Sequence, residues 1–355
     1  VYKRQVYDHR FPVFIGLGVQ RRERHPQRRL RVEAGHHDRN QRSIPHHDSV
    51  TTQALVEKTS PIRPAWPKMR AVTNKWVRRL RKLRAHPRPV RLVASRVLWR
   101  AGLSRFFVCE MPRGFRIRFY PSSISAALWS DPSSRSEDED FVWAVLRSGD
   151  RYIDAGANIG QLSLAASKRV GPLGEVIAVE AHPKIYGYLS GNIELNRCGN
   201  VTTMHQALGD RTREVALTSR WSDDQNFIAD AGDARVPMRP LDDLVDSTPI
   251  RLLKLDVEGY ELPVLRGAKR ALEQTDIVYC ELSPSNCERF GYEPLQVEQL
   301  LLDGGFVFIR TDTASEAAVT NRPYFSEMDA ESLPATGYNL IAVRPAIAQE
   351  VLDAL

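Results

Sequence analysis

Cysteine is scarce in this sequence: Cys109, Cys198, Cys280 and Cys287 are the only four in 355 residues. No two are spaced as CxxC, which argues against a zinc knuckle, and so few thiols in so long a chain fit a reducing compartment better than a disulfide framework. Long apolar runs are missing too. None approaches the roughly 18–20 residues that a membrane span requires. The opening residues are polar and basic, unlike a secretory signal. These absences together predict a cytoplasmic protein. Acidic residues are missing from one long stretch, with 11 Lys and Arg and no Asp or Glu between Met69 and Arg100.

What is present is unevenly distributed. Residues 1–100 hold 25 Lys and Arg against 6 Asp and Glu, whereas residues 101–355 hold 25 against 37. The net charge of +7 therefore describes an N-terminal arm and not the remainder. The first methionine is Met69, and six of the nine histidines precede residue 50. With no apolar periodicity, residues 1–68 read as a disordered arm, or as sequence translated from upstream of a start at Met69. Residues 69–105 read as a basic helical segment. Trp76, Val77, Leu80 and Leu83 share a helical spacing in Trp76–Arg84, and a second helix is expected over Val90–Trp99. Basic helices of this kind suit an anionic membrane surface, so residues 69–100 are a candidate membrane contact. They equally suit a soluble face against the main domain.

Residues 106–147 read as a lead-in, with a strand in GFRIRFY and a helix over Asp138–Leu146. From residue 148 to 345 the pattern becomes regular. Strands are expected at 151–156, 175–181, 201–208, 251–257 and 276–282, with an extra one at Glu214–Thr218. Helices are expected at Gln161–Val170, from Pro183 to near Gly199, at Glu261–Leu272 and at Pro294–Asp303. FVFIR (306–310) and YNLIAVR (338–344) are expected to close the sheet as an antiparallel pair, leaving residues 346–355 as a tail. Alternating strands and helices imply an α/β fold, doubly wound around a mainly parallel seven-stranded sheet with an antiparallel last strand. Ligands of such sheets bind at the carboxyl ends of the strands, at the switch point. Four strands end there in acidic residues, Asp154, Glu180, Asp256 and Glu281, whose mutual repulsion something bound would offset.

Four motifs occupy that rim. In DAGANIG, Gly156 allows a sharp turn, Gly160 a close helix approach, Asp154 can accept from a ligand's amino group, and Asn158 can cap the helix or touch the ligand. Glu180, 24 residues after Gly156, sits where a carboxylate accepts both ribose hydroxyls. In HQALGD (205–210), Ala207 and Leu208 are candidate walls of an adenine pocket, and His205 reads as a packed histidine. The fourth motif, LDVEGYELPVLRGA (255–268), carries Asp256, Glu258 and Glu261. Together with PLDDLV (240–245) and the two earlier motifs in the same order, it resembles the FkbM family of methyltransferases over roughly residues 148–310. The resemblance implies a class I methyltransferase (Rossmann-like) fold, S-adenosyl-L-methionine as donor, and methylation, usually of oxygen, on sugars, glycolipids or polyketide hydroxyls. The basic arm lies outside it, and His182 stands where many relatives carry Pro or another polar residue.

Rival readings fare less well. A nicotinamide dehydrogenase would need GxGxxG, and only Gly156 and Gly160 fall in the loop. An enzyme methylating nucleic-acid base amines would carry an Asn-Pro-Pro-aromatic loop where this chain reads DVEGYEL, so no specific nucleic-acid partner is expected. A non-catalytic protein of the same fold conflicts with the intact acidic rim. The expected acceptor is a small molecule or a glycan. An alcohol needs a base or a metal before it attacks. Asp256 is the first candidate base and Glu281 the second, and the two together are candidate ligands for Mg²⁺. Alternatively, Asp256 belongs to the donor site, orienting the donor's amino group, or caps the helix after Gly259.

Overall fold

The computed structural model describes residues 86–218, 227–229, 232, 234–310, 318–323 and 337–355. The arm expected at 1–68 and the helix expected at Trp76–Arg84 lie outside them. Helix α1 (Pro89–Arg100) starts on a proline, whose missing N–H is no loss in a first turn. A 3₁₀ turn at Ser104–Phe106 leads to strands β1 (Val108–Glu110) and β2 (Arg116–Arg118), an antiparallel hairpin. The strand expected in GFRIRFY is its second arm, with Phe115, Ile117 and Phe119 alternating inward. Helix α2 (Ser123–Ser130) is capped by the Ser122 hydroxyl, which accepts the Ser125 N–H at 3.1 Å. Helix α3 (Ser136–Val145) opens with Glu137, Asp138 and Glu139, favourably placed at a helix N-terminus.

Strand β3 (Arg151–Ala155), helix α4 (Gln161–Val170), β4 (Glu175–Glu180), α5 (Pro183–Asn196) and β5 (Val201–His205) then alternate. The chain leaves the main sheet at Gln206. Strands β6 (Ala207–Leu208), β7 (Arg213–Leu217), β8 (Ile228–Ala229) and β9 (Ala234–Arg239) build a separate small sheet in the order β6–β9–β7–β8. Strand β10 (Ile250–Leu255) returns to the main sheet. It is followed by α6 (Glu261–Arg266), α7 (Lys269–Glu273), β11 (Thr275–Leu282), α8 (Pro284–Arg289) and α9 (Pro294–Asp303). Strands β12 (Val307–Arg310), β13 (Ala318–Thr320) and β14 (Tyr338–Val343) and helix α10 (Ala348–Ala354) complete the described chain.

The main sheet runs β13–β12–β14–β11–β10–β3–β4–β5. From β5 to β11 neighbours are parallel, and β14 lies antiparallel between β11 and β12. Side chains alternate between its faces. Ile153, Ile177, Leu253 and Val278 enter one core, and Tyr152, Val176, Leu252 and Ile277 enter another.

Five expectations need correction. The sheet has eight strands, because β13 pairs with the edge of β12. The single strand at 201–208 divides at Gln206, since Ala207 pairs with Met238 in the small sheet. The helix at Glu261–Leu272 breaks at Gly267, where an added Cβ would lie 2.0 Å from the Gly209 carbonyl. Helix α5 ends at Asn196, with Arg197 rather than Gly199 in the left-handed region (φ 53°). The expected tail at 346–355 holds α10, which buries Ala348 and Val351 in the second core.

Candidate active site

From β3 the chain steps to β4 on one side and later to β10 on the other, so the carboxyl end of β3 is the switch point. Register aligns the rim there. Ala155 pairs with Val179 and with Leu255, and Leu255 with Cys280. Gly156, Glu180, Asp256 and Glu281 therefore each stand one residue beyond a paired row. A cleft of ≈ 270 Å³ opens over them. The small sheet contributes Leu217, Phe227 and Ile228 to its wall, and the α3 segment contributes Arg135 and Asp138.

The loop after β3 is held by backbone bonds. The N–H groups of Gly156 and Ala157 both donate to the Val179 carbonyl at 3.0 Å. Gly156 has φ +82°, and a Cβ there would lie 1.8 Å from the Asp256 carbonyl oxygen, so no other residue fits. A Cβ at Gly160 would press on Leu189 Cδ1 at 2.7 Å, which marks the close approach of α5. Asn158 also adopts a left-handed conformation (φ 50°), and its Oδ1 accepts the Ile159 N–H at 2.8 Å. Of its two expected roles, helix capping is not seen: the bond is to the adjacent residue, Gly160 holds the N-cap position of α4 without a side-chain cap, and Asn158 lines the cleft.

Glu180 ends β4 with both oxygens engaged by backbone: Oε2 accepts the Asn158 N–H at 2.9 Å and Oε1 the His182 N–H at 2.8 Å. Burial pushes its carboxyl up to about 7, and those two hydrogen bonds act the other way. His182 occupies the N-cap position of α5, and its side chain makes no capping bond. Ala207 and Leu208 are buried and line the cleft, with Gln206 beside them. His205 stacks on Tyr186 with ring centroids 4.8 Å apart, a packing role as expected.

The rim is organised by a residue absent from the sequence-based candidates. The Lys254 ammonium lies 3.3 Å from Asp154 Oδ1 and 3.4 Å from Asp256 Oδ2, and donates to the Gly156 carbonyl at 3.0 Å. Burial by itself lowers its pKa, but Asp154 and Asp256 more than offset this, and the lysine stays protonated. Asp154 is fully buried, with Ser163 Oγ donating to its other oxygen at 2.6 Å. It lines the cleft from beneath, with Oδ1 turned to the Lys254 ammonium. A lysine inside the apolar run IRLLKL was the signal available in the sequence, because a buried ammonium needs partners.

Asp256 and Glu281 come together as expected, at the ends of neighbouring strands. Glu281 is exposed at the cleft, and its carboxyl is raised above the ordinary range chiefly by the charge of Asp256. Asp138 adds to that rise, while Arg135 and Lys254 oppose it. Asp138, also missed by sequence reading, accepts the Tyr279 hydroxyl at 2.7 Å. Among the described residues no group of three or more His, Cys, Asp or Glu is placed to hold a metal ion. The Mg²⁺ reading is left with two carboxylates, one of them already facing an ammonium.

The following loop is braced from beneath. Buried Glu261 accepts the Gly259 N–H at 3.0 Å, and the Tyr292 hydroxyl lies 3.0 Å from its other oxygen. Burial pushes its carboxyl up to about 7. Glu258, with φ 55°, accepts from Asn286 Nδ2 at 3.2 Å and faces the cleft.

Comparison with known proteins matches this frame. A profile of the Methyltransferase FkbM domain matches residues 154–308, from the buried Asp154 into β12. Methyltransferase sdnD of Sordaria araneosa is 31% identical over 212 residues, covering 49% of this chain and 80% of that protein. The chain belongs to the FkbM methyltransferase family. Its doubly wound sheet with the antiparallel β14 is thus a class I methyltransferase fold. Two further relatives are similar to this FkbM chain. Hexuronic acid methyltransferase AglP of Haloferax volcanii is 25% identical over 196 residues, covering 53% of this chain and 77% of that protein. Methyltransferase 1 of Beauveria bassiana is 30% identical over 142 residues, and the chain spans only 57% of its length. The segment bearing Arg135 and Asp138 lies before the matched residues.

Proposed function

We propose that this FkbM protein is an S-adenosylmethionine-dependent O-methyltransferase acting on a hydroxyl of a sugar, glycolipid or polyketide-like acceptor. The observation that carries the reading is the lysine-bridged pair Asp154–Lys254–Asp256 beside Glu281, set on the rim shared with Gly156 and Glu180. The residues fit the donor. A carboxylate has about four acceptor positions, and Glu180 spends two on backbone, which leaves two for ribose hydroxyls. Ala207 and Leu208 offer an apolar wall for a base ring.

The bound donor supplies an electrophilic methyl group, so the protein has to place and deprotonate the acceptor oxygen. Lys254, anchored by Asp154, holds Asp256 as an oriented anion. The Asp256 charge raises the proton affinity of Glu281, and a base works best when its pKa lies near the working pH. Glu281 is therefore the catalytic residue that accepts the hydroxyl proton on its carboxylate, and Asp256 sets its basicity. This reverses the order in which the sequence ranked the two. The AglP name supports a sugar acceptor.

The test is transfer of isotopically labelled methyl from S-adenosylmethionine to hydroxylated sugars. Label that survives mild alkali identifies an ether. Label released by alkali shows methylation of a carboxylate and removes the hydroxyl reading.

A further inference from the structure

Seven of the nine large apolar side chains exposed among the described residues fall between residues 90 and 108. On α1 they are Val90, Val93 and Val97, one helical face by spacing. Leu103, Phe106 and Phe107 continue the patch beyond the helix. The opposite side of α1 is fixed to the protein. Ser95 is buried, and the Arg91 guanidinium lies 4.9 Å over the Trp129 ring. The outward valines thus belong to an anchored helix and not to a loose end.

The same segment is basic. Arg88, Arg96, Arg100 and Arg105 are exposed beside the apolar residues, and no Asp or Glu occurs from Lys58 to Cys109. A nucleic acid would engage the arginines and leave valine and phenylalanine in water. An anionic bilayer takes both, because headgroups meet the guanidinium groups while short apolar side chains enter the acyl boundary. We propose that this face of α1 and the following turn docks the protein on an anionic lipid surface. Helix α2 carries Trp129 against α1 and Ile124 into the cleft, so one short helix separates the docking face from the site. The docking does not depend on the acceptor assigned above.

The test is sedimentation of the full chain with vesicles of phosphatidylcholine alone or mixed with phosphatidylglycerol, at low and high salt. The parent is expected to sediment with the anionic vesicles, and less so at high salt. Arg96→Gln and Arg100→Gln should each weaken binding about fivefold. The double variant V93N/V97N should weaken it about tenfold with an unchanged unfolding temperature, since both side chains are exposed. Equal binding of that variant and the parent would assign the effect to the basic stretch 69–84 and overturn the proposal. So would indifference to lipid charge, or no binding together with a dimer that V93N/V97N dissociates.

Discussion

Glu281 and Asp256 make separable demands on experiment. Glu281→Gln should lower turnover by roughly 10²–10⁴-fold with donor affinity near the parent's, the range for loss of a general base. Asp256→Asn removes the largest influence raising Glu281 and leaves Lys254 beside it. The acidic limb of the rate–pH profile should therefore move to lower pH. A limb that stays in place would show that Glu281 is not the titrating base. Glu261 governs a different observable. Its carboxyl titrates near 4.5 when unfolded and is pushed up to about 7 by burial, so the native state holds the proton longer. Stability from this group is fully present below pH 4.5 and is lost as pH rises through 7. In Glu261→Gln the amide oxygen can still accept the Gly259 N–H, and its NH₂ can donate to the Tyr292 hydroxyl. That variant should flatten the dependence of unfolding temperature on pH between those values, and a curve parallel to the parent's would count against it. Of these residues Asp256 and Glu281 were legible as acids closing apolar strands. Asp138 was not, because its partner Tyr279 lies 141 residues away along the chain, and Lys254 offered only the signal of a cation within an apolar strand, its link to Asp154 being set by the sheet.

At the level of elements, helices were legible where local signals were complete. Helix α9 has proline in its first turn and a reciprocal capping box, in which the Glu293 side chain takes a first-turn N–H and the Gln296 side chain takes the Glu293 N–H at 3.1 Å. Its bounds match the expected Pro294–Asp303. Gln296→Ala should cost about 1 kcal/mol of stability, readable by denaturant titration, with no change in donor binding. The loop after β3 is less forgiving. Gly156→Ala drives a methyl group to 1.8 Å from a backbone oxygen, and the loop must move. A loss of roughly 3 kcal/mol or more is expected, with donor binding abolished; an unperturbed Gly156→Ala protein would contradict the described loop. The small sheet β6–β9–β7–β8 escaped sequence reading apart from β7. Strands β6 and β8 are two residues long, too short for alternation to stand out, and β9 carries Pro237, which reads against a strand.

For the whole molecule, ligand linkage is the direct check. S-adenosylmethionine at 100 times its Kd should stabilise the protein by about 2.7 kcal/mol, and NADH should do nothing. The S-adenosylmethionine shift should shrink in Glu180→Ala; a full shift there would take Glu180 out of the site. No helix among the described residues is long and apolar enough to cross a membrane. The sequence by itself determined the fold class, the order of the motifs, the family resemblance and the acidic rim, because strand periodicity and glycine turns are local properties. Only the tertiary structure decided which acid meets which cation. Register between β3 and β10 sets Asp154 beside Lys254, and closure of α3 over the rim brings Asp138 to Tyr279. The seating of α1 likewise decided which of its side chains face water. Such pairings depend on long-range packing, and packing has no counterpart in the order of residues along a strand or helix.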